Sequence, residues 1–339
     1  MRGRKRNPWL IPLLAVLLPV GAVLAVCVGK YPVTPWESLR VLWGALTGGG
    51  SAEEMTANVV LGLRVPRILA SILVGAALSV SGAAYQGVFQ NPLISPDFLG
   101  VSGGACVGAA AAILLSLTSG WIQLFAFAGG LLAVGLTVTL PMLLRSRANL
   151  MLVLSGIIVG SAMSSLLGFL KYTADPETQL AAITYWTMGG FNYLALEDLL
   201  PALPFLLIPA VVLILMGWRI DVLSMGETEA RALGLPVSAV RGTVILCATL
   251  LTASSVCLAG TISWVGLTIP HLGRMLAGPG HTRLLPVSAL LGGLFLLVVD
   301  TLTRTIGAEE MPVSILTGLV GAPFYGWLLW RQRRAGHAL

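Results

Sequence analysis

The chain has 339 residues, of which 56% are hydrophobic and only 10% charged, a balance that excludes a soluble globular domain of this length and implies a polytopic membrane protein. The formal net charge is +6, but the basic residues sit in short segments between apolar runs, so membrane topology accounts for the excess without nucleic acid. Cys27, Cys106, Cys247 and Cys257 lie inside apolar runs with no C-x-x-C pair, and His271, His281 and His337 lack metal-ligand spacing. No metal site, disulfide framework or resident cofactor is therefore expected.

Arg2, Arg4, Lys5 and Arg6 precede an apolar run from Pro8 to Val28. This pattern is shared with signal peptides, but about twenty residues suffice to span a bilayer, and no convincing small-residue cleavage site follows before Lys30. The run is read as the first transmembrane helix, with its amino end in the cytoplasm. Residues 30–63, with Trp36, Trp43, Glu37, Glu53, Glu54 and Gly48 to Gly50, read as an external loop carrying a short interfacial helix. Further spans are expected at 68–86, 98–117, 121–144, 149–170, 196–218, 240–261, 264–277, 286–304 and 312–330, about ten in all. An even number returns Arg331 to Arg334 to the cytoplasm. Of the 20 Lys and Arg residues, all but Lys30, Arg40, Arg64, Arg67, Lys171 and Arg304 then fall inside, the bias that positive-inside topology requires.

Within these spans, small residues recur every fourth position: Gly75, Ser79, Ala83 and Gly87; Gly100, Gly104 and Gly108; Gly156, Gly160, Ser164 and Gly168; and Gly318, Ala322 and Gly326. Such a column either packs closely against a neighbouring helix or lines a path for bulky cargo. Between the second and third spans, Gln90 to Asp97 form a polar elbow whose prolines stop the helix, with Asp97 placed to cap the next one. Residues 171–195 read as an external excursion with a short amphipathic helix. Residues 219–238 read as two short helices, around Val222 to Met225 and from Glu227 to Leu233, stopped by Gly234 and Pro236. A charged hairpin of this kind is either an ordinary solvated loop or a handle for a peripheral partner. Pro270 should bend the short span at 264–277, and His271 beside it is read as structural rather than as a ligand. Asp300 and Arg304 are spaced for an ion pair one helical turn apart.

The R-x-P-R start at Arg64, the Q-N-P-L-x-x-P elbow and the L-G-V-S-x-G-A run after it resemble the FecCD-type permeases of bacterial ABC importers, which carry iron–siderophore chelates, haem or cobalamin. Gly226-Glu227-x-x-Ala230-x-x-Leu233-Gly234, the run from Gly260 to His271 with Trp264 in place of the usual Phe, and Glu309 to Pro312 extend the resemblance. It implies a single all-α transmembrane permease domain over 1–339, of type II ABC importer architecture, in a bacterial cytoplasmic membrane with both termini inside. It also implies the partners: a second permease copy or close paralogue, two ATP-binding subunits and a substrate-binding protein. By the same resemblance Arg64, Arg67 and Arg304 dock the binding protein, so that reversing Arg64 and Arg67 to Glu stops uptake but leaves the complex intact. Gly226, Glu227, Ala230, Leu233, Gly234 and Pro236 couple to the ATPase. Asn91, Leu93, Ser146 and Asn149 correspond to gate positions, although the elbow is equally well explained as a turn. Gly156, Gly160, Ser164 and Gly168 border the translocation pathway, as does the last span.

No G-x-x-x-x-G-K-[ST] motif is present, and none of Lys5, Lys30 and Lys171 precedes Ser or Thr. ATP is therefore expected to be bound by the partner subunit. An ion-coupled secondary transporter normally needs carboxylates or broken helices at the midplane, and the acidic residues here all fall in loops or near span ends, which tilts the choice toward an external motor. A membrane-embedded enzyme would need a nucleophile–base or paired-carboxylate arrangement at membrane depth, and the sequence offers none. The cargo leaning is toward ferric siderophores, with haem or cobalamin as the alternative.

Overall fold

The structure, a computed structural model, describes residues 8–47, 54–145, 149–192, 194–307 and 309–336, and the described residues contain helices and loops but no strand. In chain order the helices are α1 (Leu10–Cys27), α2 (Pro35–Thr47), α3 (Glu54–Val88), α4 (Val101–Leu114), α5 (Ser119–Leu143), α6 (Asn149–Thr173) and α7 (Gln179–Met188). There follow α8 (Leu196–Leu215), α9 (Gly217–Met225), α10 (Glu227–Ala232), α11 (Val237–Ala259), α12 (Val265–Ala277), α13 (His281–Thr303) and α14 (Val313–Gly336). Seven of these are long and apolar enough to cross a membrane. The shorter apolar α4 and α14, with α12, complete the ten expected spans. The interfacial helix expected in the first loop is α2, and that expected in the 171–195 excursion is α7.

The second span begins earlier than expected. Rather than leaving a loop up to residue 63, the chain is helical from Glu54, with a wide turn over Asn58–Arg64 in which the Val65 N–H reaches back to Val60 O. Pro66 explains the wide turn. Its ring has no N–H and crowds the carbonyl four residues back, and the extra residue in the turn relieves the clash.

Helix α3 is the axis of the molecule, buried at almost every position from Arg67 to Val88. Its small column serves packing. A Cβ on Gly75 would strike the Gly292 carbonyl, and one on Gly292 would strike Ser79 and the Gly75 carbonyl, so α3 and α13 cross backbone to backbone. Gly87 faces His281 and Ile220. On another side Ser81 donates to Ala248 O (2.9 Å), and the Tyr85 and Thr249 hydroxyls lie 2.8 Å apart, which fixes α11. Gly104 and Gly108 perform the same service between α4 and α5, against Gly129 and Phe125.

Two helices are too short to cross alone. Fourteen and thirteen residues make α4 and α12 only about 20 Å long, against a hydrocarbon core of about 30 Å. Their inner ends meet partway along α3: Gly266 abuts Pro96 and the Leu78 carbonyl, and Gly82 abuts the Gly266 carbonyl. The elbow is therefore re-entrant. It folds back from the end of α3 as far as Gly82 before α4 starts. Asp97 does not cap α4 through the backbone as expected. It accepts a hydrogen bond from the Ser102 hydroxyl, and Gly100, at φ 82°, makes the left-handed turn into the helix.

Substituting Val for Gly292 should cost about 1–3 kcal/mol or more by overpacking, whereas Ala at Gly318, which has open space around it, should leave stability unchanged or slightly raised. Thermal unfolding in detergent tests this contrast, and an unaltered midpoint for Gly292→Val would contradict the crossing.

Candidate functional site

The candidate residues fall at opposite ends of α3 and α13. At one end Arg67 Nε donates to Asp300 Oδ1 at 2.7 Å and its Nη1 donates to Glu310 Oε2 at 2.6 Å. Arg304 Nε stands 3.4 Å from the other Asp300 oxygen. Asp300 is 0% exposed, and Arg64, Arg67 and Arg304 are 5–6% exposed. Arg64 has no carboxylate partner among the described residues. Its guanidinium donates to Val26 O (2.6 Å) and Tyr31 O, while Arg304 reaches Val28 O at 3.4 Å. The last carbonyls of α1, left unpaired by the helix, thus receive two cations, the charge sign that a helix carboxyl end favours.

Arg64, Arg67 and Arg304 are the residues expected to dock the binding protein. All three arginines are buried and engaged within the chain, because a guanidinium at this depth needs an acceptor and the chain supplies its own. Reversing Arg64 and Arg67 to Glu would set new carboxylates against Asp300, Glu310 and the α1 carbonyls, so a folding defect is expected rather than an intact complex that cannot dock.

The opposite end carries the hairpin α9–α10. The expected first short helix is longer, running Gly217–Met225. Gly226, at φ 137°, turns the chain from α9 into α10. Glu227 pairs with Arg241 of α11 and, at 3.4 Å, with Arg231. The bond from Arg241 holds the Glu227 carboxyl below its ordinary value. Ala230 is fully buried beneath the hairpin, and Gly234, at φ 76°, ends α10 as Leu235 N–H reaches Ala230 O at 3.0 Å. Pro236 precedes α11. Leu233, Met225 and Trp218 are left exposed. The hairpin is thus a helix pair pinned by ion pairs, with apolar side chains left exposed.

Sequence reasoning missed what attaches this hairpin. Asp221 of α9 accepts from His281 Nδ1 (2.7 Å) and backbone N (2.5 Å) and from the Thr282 hydroxyl (3.2 Å), so it caps the start of α13. Burial alone would raise the Asp221 carboxyl, but these bonds outweigh it and leave the group below its usual range. No spacing rule links residues 60 apart. The only signal in the sequence was one more carboxylate in a loop that already carries Glu227 and Glu229.

In the elbow, Asn91 and Leu93 are exposed, and the Asn91 side chain accepts from Leu93 N–H at 2.9 Å. Gln86 braces the elbow from α3 by donating to Ile94 O, and accepts from Arg274 of α12. Ser146 lies outside the described residues, and Asn149 is the first residue of α6. The α6 column divides. Gly156 is pressed against the Phe98 carbonyl of the elbow, whereas Gly160 and Gly168 have open space where a Cβ would stand and Ser164 is exposed. Gly318 and Gly326 of α14 are open in the same way. His271 packs edge-on against Tyr325, and its Nδ1 is buried without a hydrogen-bond partner, a structural rather than a ligating position.

Ten helical spans with two half-length helices meeting inside the bundle, and a capped hairpin at one end, define a polytopic membrane transport permease of the ABC importer class. Residues 17–331 match the model of the FecCD transport family, and the chain belongs to that family. It is 38% identical over 326 residues to the molybdate import system permease protein MolB of Haemophilus influenzae, covering 95% of this chain and 96% of that protein. It is 39% identical over 318 residues to the cobalamin import system permease protein BtuC of Halobacterium salinarum, covering 92% and 85%. Among solved structures, a metal-chelate type ABC transporter in an inward-facing conformation superposes with a TM-score of 0.86 at 34% identity, over 96% of this chain and 100% of that one. Permeases of this family leave ATP hydrolysis to separate subunits.

Replacing Asp300 by Asn would leave Arg67 and Arg304 without their shared carboxylate, at an expected cost of about 3–5 kcal/mol, while Arg40→Gln on the exposed face of α2 should change little. Folded yield and unfolding midpoint in detergent decide the matter. Equal behaviour of the two variants would contradict a supporting role for the network.

Proposed function

We propose that two copies of this chain, set in a cytoplasmic membrane with both termini inside, form the path of an ATP-driven importer for a ferric siderophore. The observation that carries this reading is the pair of open small-residue faces on α6 and α14, where a Cβ added to Gly160, Gly168, Gly318 or Gly326 would meet nothing within 4 Å. In a chain whose other small columns are filled by close helix crossings, faces left open fit a wide path that a second copy closes. Such walls are wide and weakly binding, which suits a bulky chelate whose recognition resides in a capture protein. The likeness to a metal-chelate type transporter supports the cargo class.

In this arrangement the hairpin from Gly226 to Pro236 fits into two ATP-binding subunits, one for each permease copy. Nucleotide-driven closure of those subunits alternates access past the elbow at Asn91 and Leu93. The arginine end faces outward and receives the substrate-binding protein. For a carboxylate of that protein to reach Arg67, it must displace Glu310, which is the more exposed partner, 32% against 0% for Asp300.

Two measurements test the reading. In vesicles containing the permease, its ATP-binding subunit and a siderophore-binding protein, ATP should drive uptake of radiolabelled ferric chelate but of neither molybdate nor cobalamin. Uptake of one of those instead would overturn the cargo, and uptake without either partner would overturn the mechanism. Glu310→Gln should strengthen binding of the capture protein by about tenfold, since a charge-assisted bond no longer has to be displaced. Unchanged affinity would restrict Arg67 to a structural role.

A further inference from the structure

Among the described residues one side-chain hydrogen bond joins the hairpin to the elbow, and it comes from the residue that ends α3. Gln90 follows α3 with φ at 52°, in the left-handed region that a residue with a Cβ adopts only at a cost. In that conformation its side-chain Nε2 donates to Leu223 O at 3.1 Å. Leu223 lies in the last turn of α9, where carbonyls lack helical partners, and its oxygen also accepts the Gly226 N–H that ends the helix. The bond therefore sits on the hinge of the hairpin. The elbow's other anchor, Gln86 with Arg274, runs to α12 and not to the hairpin. Helix α9 is itself held to α13 by Asp221, as described above, and among the described residues the half-buried Gln90–Leu223 bond is the one side-chain hydrogen bond that ties the hairpin to the elbow.

We infer that Gln90 is the positioning residue that passes hairpin movement to the inner gate at Asn91 and Leu93, its left-handed place in the cap of α3 setting the amide against Leu223. This rests on the reading of the hairpin as the ATPase-coupling segment. Gln90 touches neither cargo nor nucleotide; it acts through the elbow.

The test uses the full complex in vesicles, each variant carrying a Leu93→Cys reporter, with labelling by a hydrophilic maleimide compared with and without a non-hydrolysable ATP analogue and against the complex lacking the reporter. With Gln90 intact, the analogue should change the labelling rate by about tenfold, a shift of the size one hydrogen bond can bias. In Gln90→Ala and Gln90→Gly the change should fall below about twofold, with basal ATP hydrolysis within about twofold of the parent. Gln90→Lys, which restores a donor, should recover most of the response. Glycine distinguishes the two possible roles, because it accepts φ 52° without strain and lacks the amide. A full response in Gln90→Gly would overturn the inference by showing that only the turn matters, as would a full response in Gln90→Ala. If the complex with Gln90 intact shows no nucleotide response, the coupling role of the hairpin fails, and this inference with it.

Discussion

One buried carboxylate holds the architecture together. Asp300, with no exposure, is shared by Arg67 and Arg304, and ions placed at the edge of an apolar bundle persist only when each finds a counter-ion or hydrogen-bond acceptors. Four charges, two from arginines and two from Asp300 and Glu310, balance at this point. Because the arginines come from α3 and the end of α13, and Glu310 from the segment before α14, neutrality can be reached only with all three elements docked. Arg64 extends the arrangement to α1 through the carbonyl of Val26.

From that end the α3–α13 crossing runs to the other side of the bundle, where His281 and Thr282 at the start of α13 receive Asp221. The crossing is glycine to glycine at Gly75 and Gly292, so the two helices cannot slide or separate without losing contact along their lengths. They form a rigid slab with polar fastenings at both ends. The hairpin is tied to this slab by Asp221 and the elbow by Gln86. The open glycine faces of α6 and α14 lie outside it.

Much of this was legible in the sequence, and the limits have physical causes. Apolar runs gave the ten segments, seven of them long enough as helices to span, because hydrophobic length is a local property. The hairpin was legible from Gly226, Gly234 and Pro236, whose backbone requirements are local as well. The start of α3 was misjudged because a π turn before Pro66 continues a helix through a region that reads as loop. The small columns were visible as columns, but periodicity cannot distinguish a helix crossing from an open wall: Gly75 and Gly160 have the same spacing and opposite surroundings. The arginines were singled out correctly as exceptions to the charge bias, yet their burial was illegible, since Arg67 meets its partners 233 and 243 residues away. Asp221, joined to His281 across 60 residues, was hidden for the same reason.

The central claim, that Asp300 and Arg67 act as one unit, is most directly tested by a double-mutant cycle on thermal stability with Arg67→Gln, Asp300→Asn and the pair together. If the ion pair is the fastening, the double variant should be far less destabilised than the sum of the single ones, with an interaction energy of about 1–3 kcal/mol. Additive losses would show that the two side chains contribute separately and would contradict the account.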